Sequence, residues 1–130
     1  AKRIPGSEES IYQGGFHFVD FTDIDNPVET AIYQVPEVGS HNHWVEGDIL
    51  YAGYYYGGIR VLDISGELLG DLYAQGREIA FFEGRDPNGK IPNETNVWGV
   101  IPYKGLIYFA DHYNGLWAVR LVDDEPMGTN

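Results

Sequence analysis

The chain repeats itself. Residues 50–64 align without a gap to residues 107–121, so that Leu50 matches Ile107, Gly58 matches Gly115 and Ile64 matches Leu121, a constant offset of 57. A third copy of the second half lies earlier, where Gly15-Phe16-His17-Phe18-Val19-Asp20-Phe21 matches the stretch from Gly58 to Ile64 at an offset of 43. Asn42 and Trp44 find counterparts in Asn96 and Trp98, three positions out of step with the larger offset. Self-similarity at a period of roughly 20 to 50 residues marks architectures in which one supersecondary unit stacks on the next.

Each copy has the pattern of a hairpin. Residues 50–54 and 107–111 are short runs of aromatic and apolar residues, followed by Gly57-Gly58 or Asn114-Gly115, dipeptides that supply positive φ in tight turns. The returning strands are 59–64 and 116–121. In the first of these, alternation puts Ile59, Val61 and Asp63 on one face and Arg60, Leu62 and Ile64 on the other, so sheets are expected against both faces. Further strand candidates are 30–35, 69–73, 79–82 and 97–101, separated by clusters such as Asp25-Asn26-Pro27 and Asp86-Pro87-Asn88-Gly89. No long amphipathic helix is expected, because glycines at 66, 70 and 76 interrupt the one helical stretch. Seventeen glycines and ten tyrosines in 130 residues fit many turns between aromatic strands.

About four short strands in about 43 residues is the pattern of a β-propeller blade, so the expected fold is all-β, with blades of antiparallel strands. The blade-like units are 1–38, 39–83 and 94–123, and an insertion loop at 84–94 accounts for the longer second spacing. That makes a partial ring of about 2.5 to 3 blades, where closed rings need about four to eight. Such a segment leaves strand edges unpaired. Its expected partners are the remainder of the propeller or other copies of itself.

Composition narrows the function. Eight Lys and Arg against 20 Asp and Glu give a net charge of −12, which argues against binding a phosphate backbone. The absence of cysteine excludes disulfides, thiolate metal sites and cysteine nucleophiles. No apolar run is long enough for a membrane-spanning helix. An acidic, cysteine-free chain rich in Tyr and Gly fits the outside of a prokaryotic cell.

The block His41-Asn42-His43-Trp44, Leu50-Tyr51-Ala52 and Gly57-Gly58-Ile59-Arg60-Val61-Leu62-Asp63-Ile64-Ser65 resembles the LVIVD-repeat proteins, named for a hydrophobic strand that ends in Asp. The first copy matches through Gly15 to Asp23 and the Asn26-Pro27 that follows; the third departs, with Arg120 where the Asp belongs. The resemblance spans roughly residues 14–121 and implies a β-propeller of secreted or cell-surface proteins of bacteria and archaea.

Three groups of residues are candidates for chemistry. His41 and His43, two apart in an extended segment, project to one side and are candidate ligands of a transition metal, with Asp111 and His112 of the next copy converging on them. The alternative for His41 is strand capping. Asp20, Asp23 and Asp25 form an acidic run that either binds calcium or hydrogen-bonds its own backbone as a turn. Tyr54, Tyr55, Tyr56 and Trp117 are candidate contacts with a partner, and blade packing is the competing role. The leading functional expectation is a non-enzymatic structural or interaction module. The alternative is a metal-dependent propeller enzyme with histidines near its channel.

Overall fold

The computed structural model describes residues 14–122. They form ten strands and no helix: β1 (Phe16–Asp20), β2 (Val28–Tyr33), β3 (His43–Glu46), β4 (Ile49–Gly53), β5 (Ile59–Asp63), β6 (Gly70–Asp71), β7 (Glu78–Phe82), β8 (Val97–Tyr103), β9 (Leu106–Asp111) and β10 (Gly115–Val119). The opening residues of the first unit and the acidic tail from Asp123 lie outside the described residues. No helix among the described residues is long and apolar enough to cross a membrane.

The strands make three sheets, ordered β1-β2-β6, β3-β4-β5-β7 and β10-β9-β8, and only the β2–β6 pair is parallel. The all-β expectation holds. The middle sheet feeds two cores because its side chains alternate. Leu50, Ala52 and Leu62 face the first sheet and pack with Ala31, Tyr33 and Leu72. Ile59 and Val61 face the third sheet and pack with Val97, Val100, Ile107 and Phe109. The apolar residues on both faces of β5 thus serve two different neighbours, as their alternation predicts.

Pairing registers carry the repeat further than the sequence match. Gly53 opposes Ile59 in one hairpin and Ala110 opposes Leu116 in the other, so the offset of 57 holds pair for pair. It continues into the preceding strands, where His43 opposes Ala52 and Val100 opposes Phe109. By that register Ile101, not Trp98, stands where Trp44 does, because a shift between Val97 and Gly99 displaces Trp98 from the ladder. The β1–β2 and β5–β7 pairs also share a bulge at equivalent places, between Phe18 and Val19 and between Val61 and Leu62.

The longer second spacing has two sources. Tyr33 to His43 is ten positions while their equivalents Phe82 to Val100 are eighteen, so eight extra residues lie between β7 and β8. Asp20 to Val28 is eight positions while Asp63 to Arg77 is fourteen, so six more lie in the β5–β7 connection. Those six carry β6, which crosses to the neighbouring sheet, pairs with β2 and buries Leu72 completely. The 69–73 strand candidate shrinks to two residues in consequence.

One buried ionic network ties the first two sheets. Arg60 is 8 % exposed; its guanidinium donates to Gly57 O and Glu78 and lies over the Phe81 ring, with Glu83 at 3.8 Å. Glu78 also accepts from the Tyr33 hydroxyl. Burial, followed by the Glu78 bond, holds the Tyr33 hydroxyl well above its ordinary pKa. A buried cation with several acceptors and a ring face avoids the penalty of an isolated charge.

Candidate functional site

The two hairpin turns lie side by side at one end of the stacked sheets. Tyr55 and Val97 exchange backbone hydrogen bonds across the gap between the second and third sheets. Around this junction six rings form a continuous array. His41 lies 5.0 Å from Trp98 and 5.3 Å from Tyr55, Trp98 lies 5.2 Å from His112, and Tyr113 bridges His112 to Tyr56. The array has the period of the chain: His41 and Trp98, Tyr55 and His112, and Tyr56 and Tyr113 are each separated by 57.

This geometry separates the proposed metal ligands. Strand β3 starts at His43, so the chain between the two histidines is not one regular strand. His41 Nδ1 lies 2.8 Å from Trp98 O and must donate there, since a carbonyl only accepts. His43 turns instead to the first sheet and meets the Phe16 ring edge-on at 5.0 Å. Asp111 is 4 % exposed and both its oxygens are occupied: Oδ1 accepts from the amides of Asn96, Tyr113 and Asn114, and Oδ2 from the Thr95 hydroxyl and Asn114 Nδ2. It is the carboxylate that shapes the β9–β10 turn. His112 stacks on Trp98 at 24°. Among the described residues no three His, Cys, Asp or Glu side chains gather as a metal group would need.

The acidic run is built as turns. Asp20 Oδ1 accepts from the amide and the hydroxyl of Thr22, and Asp23 accepts from the Asp25 amide and Asn26 Nδ2. The Thr22 hydroxyl bond first, then its amide, lowers the Asp20 pKa; for Asp23 the Asn26 side chain leads. Asp25 is exposed. Asp63 repeats the Asp20 turn on Ser65, 43 residues on.

The tyrosine run sits in a turn, and its members part company. Tyr54 is fully buried, with its hydroxyl donating to Tyr33 O, and is a core residue rather than a surface contact. Tyr55 adopts a positive φ of 35° at the sheet junction. Tyr56 is half-buried, its hydroxyl 3.4 Å from that of Tyr113. Trp117 stacks parallel on Phe109 within the second core and touches Phe82, so it too is a packing residue.

Two further features escape sequence reasoning. Of each turn dipeptide only the second residue, Gly58 or Gly115, has positive φ. At Gly58 a Cβ would lie 2.1 Å from Phe82 O, so the residue is needed for close approach as well as conformation. Asn114 instead acts as a clasp: its Nδ2 donates to Gly84 O at 2.7 Å and Glu94 O at 2.8 Å, gripping both ends of the long β7–β8 connection. Only the Asn beside a Gly, a familiar turn dipeptide, is visible in sequence, and that pattern points to φ rather than to the side chain.

The sheets also differ in completeness. The middle sheet has four antiparallel strands, whereas the third has no counterpart of β7 and the first has no counterpart of β3 or β4 among the described residues. No protein-family model, curated protein or solved structure matches the chain.

Proposed function

We propose that this chain is a segment of a β-propeller of the LVIVD type, acting outside a prokaryotic cell as a structural or interaction module whose incomplete blades are finished by other strands. One observation carries the reading. The middle sheet shares one set of registers and a bulge with the first sheet and another set of registers with the third, and among the described residues it alone has four antiparallel strands. Unpaired strand edges are templates for further strands. Those strands come from the rest of a polypeptide or from other copies of this chain. The resemblance of the first two copies to the LVIVD strand, ending in Asp20 and Asp63, gives the reading its family, and the fact that both aspartates close the same turn supports their equivalence.

Sedimentation velocity over a concentration series tests the reading. The weight-average mass is expected to rise above the 14.6 kDa of one chain. Raising the salt from low ionic strength to about 0.15 M, where the screening length falls to about 8 Å, should strengthen association of chains that each carry −12. A folded species that stays at single-chain mass throughout contradicts it.

A further inference from the structure

The strand that closes a sheet has its own side-chain pattern. Registers place Glu29 opposite Val19 and Glu78 opposite Leu62, Ala31 opposite Phe18 and Ala80 opposite Val61, and Tyr33 opposite Phe16 and Phe82 opposite Ile59. Strands β2 and β7 therefore share Glu-x-Ala-x-aromatic at a spacing of 49, a repeat that only the pairing reveals. Each covers the edge of a strand at the same place in the repeat, β1 or β5.

Strand β10 is the third strand of that kind. It pairs with β9 in the register by which β5 pairs with β4, and its other edge has no strand partner among the described residues. Its five residues, Gly115–Val119, carry none of the charges or prolines that blunt open edges, and Arg120 just beyond them is the one charge along that edge. The backbone on that edge is aimed outward. Ile64 donates to Asp48 O on the β4 side and Asp63 to Arg77 O on the β7 side, so alternation points the amides of Ile59, Val61 and Asp63 at β7. Their equivalents are Leu116, Ala118 and Arg120. Beside this edge opens a cleft of about 680 Å³, floored by Ala80 and Phe82 of β7 and walled by Ile107, Val119, Leu121 and Val122.

We propose that the outer edge of β10 is a strand-acceptor site, and that it takes an antiparallel segment of the Glu-x-Ala-x-aromatic kind from a partner. The inference rests on the reading of incomplete blades given above and names the edge and the chemistry of what completes it. The occupant is identified by the molecule itself, since both equivalent edges in this chain are covered by that pattern. Main-chain hydrogen bonds supply the affinity, and the side chains that match Glu78 and Phe81, which in β7 lie with Arg60 on the face toward the first sheet, are the ones that face the cleft.

The probe is a labelled peptide with the sequence of residues 77–83, Arg-Glu-Ile-Ala-Phe-Phe-Glu, titrated into the full chain while amide exchange is followed. Saturable binding is expected, with exchange slowed at Leu116 and Ala118 and a scrambled peptide weaker by roughly tenfold or more. Ala118→Pro deletes an outward amide without touching the β9 ladder and should abolish binding, with circular dichroism reporting its fold. Two peptides N-methylated on alternate residues leave the protein untouched, and only one of them should bind. No saturable binding, equal binding by the scrambled peptide, or binding without protection at Leu116 and Ala118 overturns the proposal. Sedimentation of the same samples separates the two ideas. Association that persists while the peptide fails removes β10 as acceptor and leaves the module standing, and loss of both removes both.

Discussion

Asp20 and Asp63 show how a single side chain sets both a turn and a pH response. Each ends a strand and accepts the amide two residues on, so the chain leaves the sheet at a fixed angle. The bonds from Thr22 and Ser65 favour the ionised carboxylates, lowering both pKa values below the ordinary 3.8. The sign follows: a group with a depressed folded-state pKa contributes fully above about 3.8 and loses its contribution as pH falls through the folded value. The denaturation midpoint is therefore expected to fall on acidification below pH 4, and Asp20→Asn with Asp63→Asn to flatten that fall, since Asn keeps an acceptor that cannot titrate. An unchanged acid limb in the double variant would remove this explanation. A turn role for Asp20, as one of two readings, was legible in sequence, because an Asp side chain that accepts a nearby amide is a local device. The separation of His41 from His43 was not. It depends on Trp98 and Phe16, which belong to different sheets and are far away along the chain.

At the scale of elements, the long β7–β8 connection is held by a side chain from another sheet turn. Asn114 grips both of its ends, and its Oδ1 sits against Gly89, where an added Cβ would lie 1.9 Å from it. Gly89 is not at positive φ, so a substitution there tests contact alone. Gly89→Ala should destabilise the native chain by about 1–3 kcal/mol through overpacking. Asn114→Ala should cost about as much by leaving the part-buried carbonyls of Gly84 and Glu94 without a donor. In the Asn114→Ala background the 1.9 Å contact is gone and the Asp86 carbonyl at 3.2 Å remains, so Gly89→Ala is expected to cost less than about 1 kcal/mol, a coupling that thermal or urea denaturation of the four chains would read. Strict additivity of the two changes would show that the clasp does not hold this loop. The strand candidates with alternating or aromatic runs were readable because the period of two is local. Strand β3 and the crossing of β6 to the neighbouring sheet were not, since the pairing of Ala31 with Gly70 is a choice between sheets.

For the molecule as a whole, the offset of 57 gave the hairpins and their two-faced packing in advance. The offset of 43 gave the first sheet's β1. What remained hidden was the equivalence of β2 and β7, whose shared Glu-x-Ala-x-aromatic pattern is too sparse to detect until registers align it. That equivalence relates the first sheet to the middle one as the offset of 57 relates the third, and among the described residues the first lacks counterparts of β3 and β4 and the third lacks the closing strand. Residue-resolved amide exchange of the dilute chain tests this most directly. The outward amides of β5, at Ile59, Val61 and Asp63, should be protected by β7, while their equivalents at Leu116, Ala118 and Arg120 exchange at rates close to those of an unstructured chain. Equal protection of the two sets at dilution would mean that the third sheet is already closed, and would contradict the account.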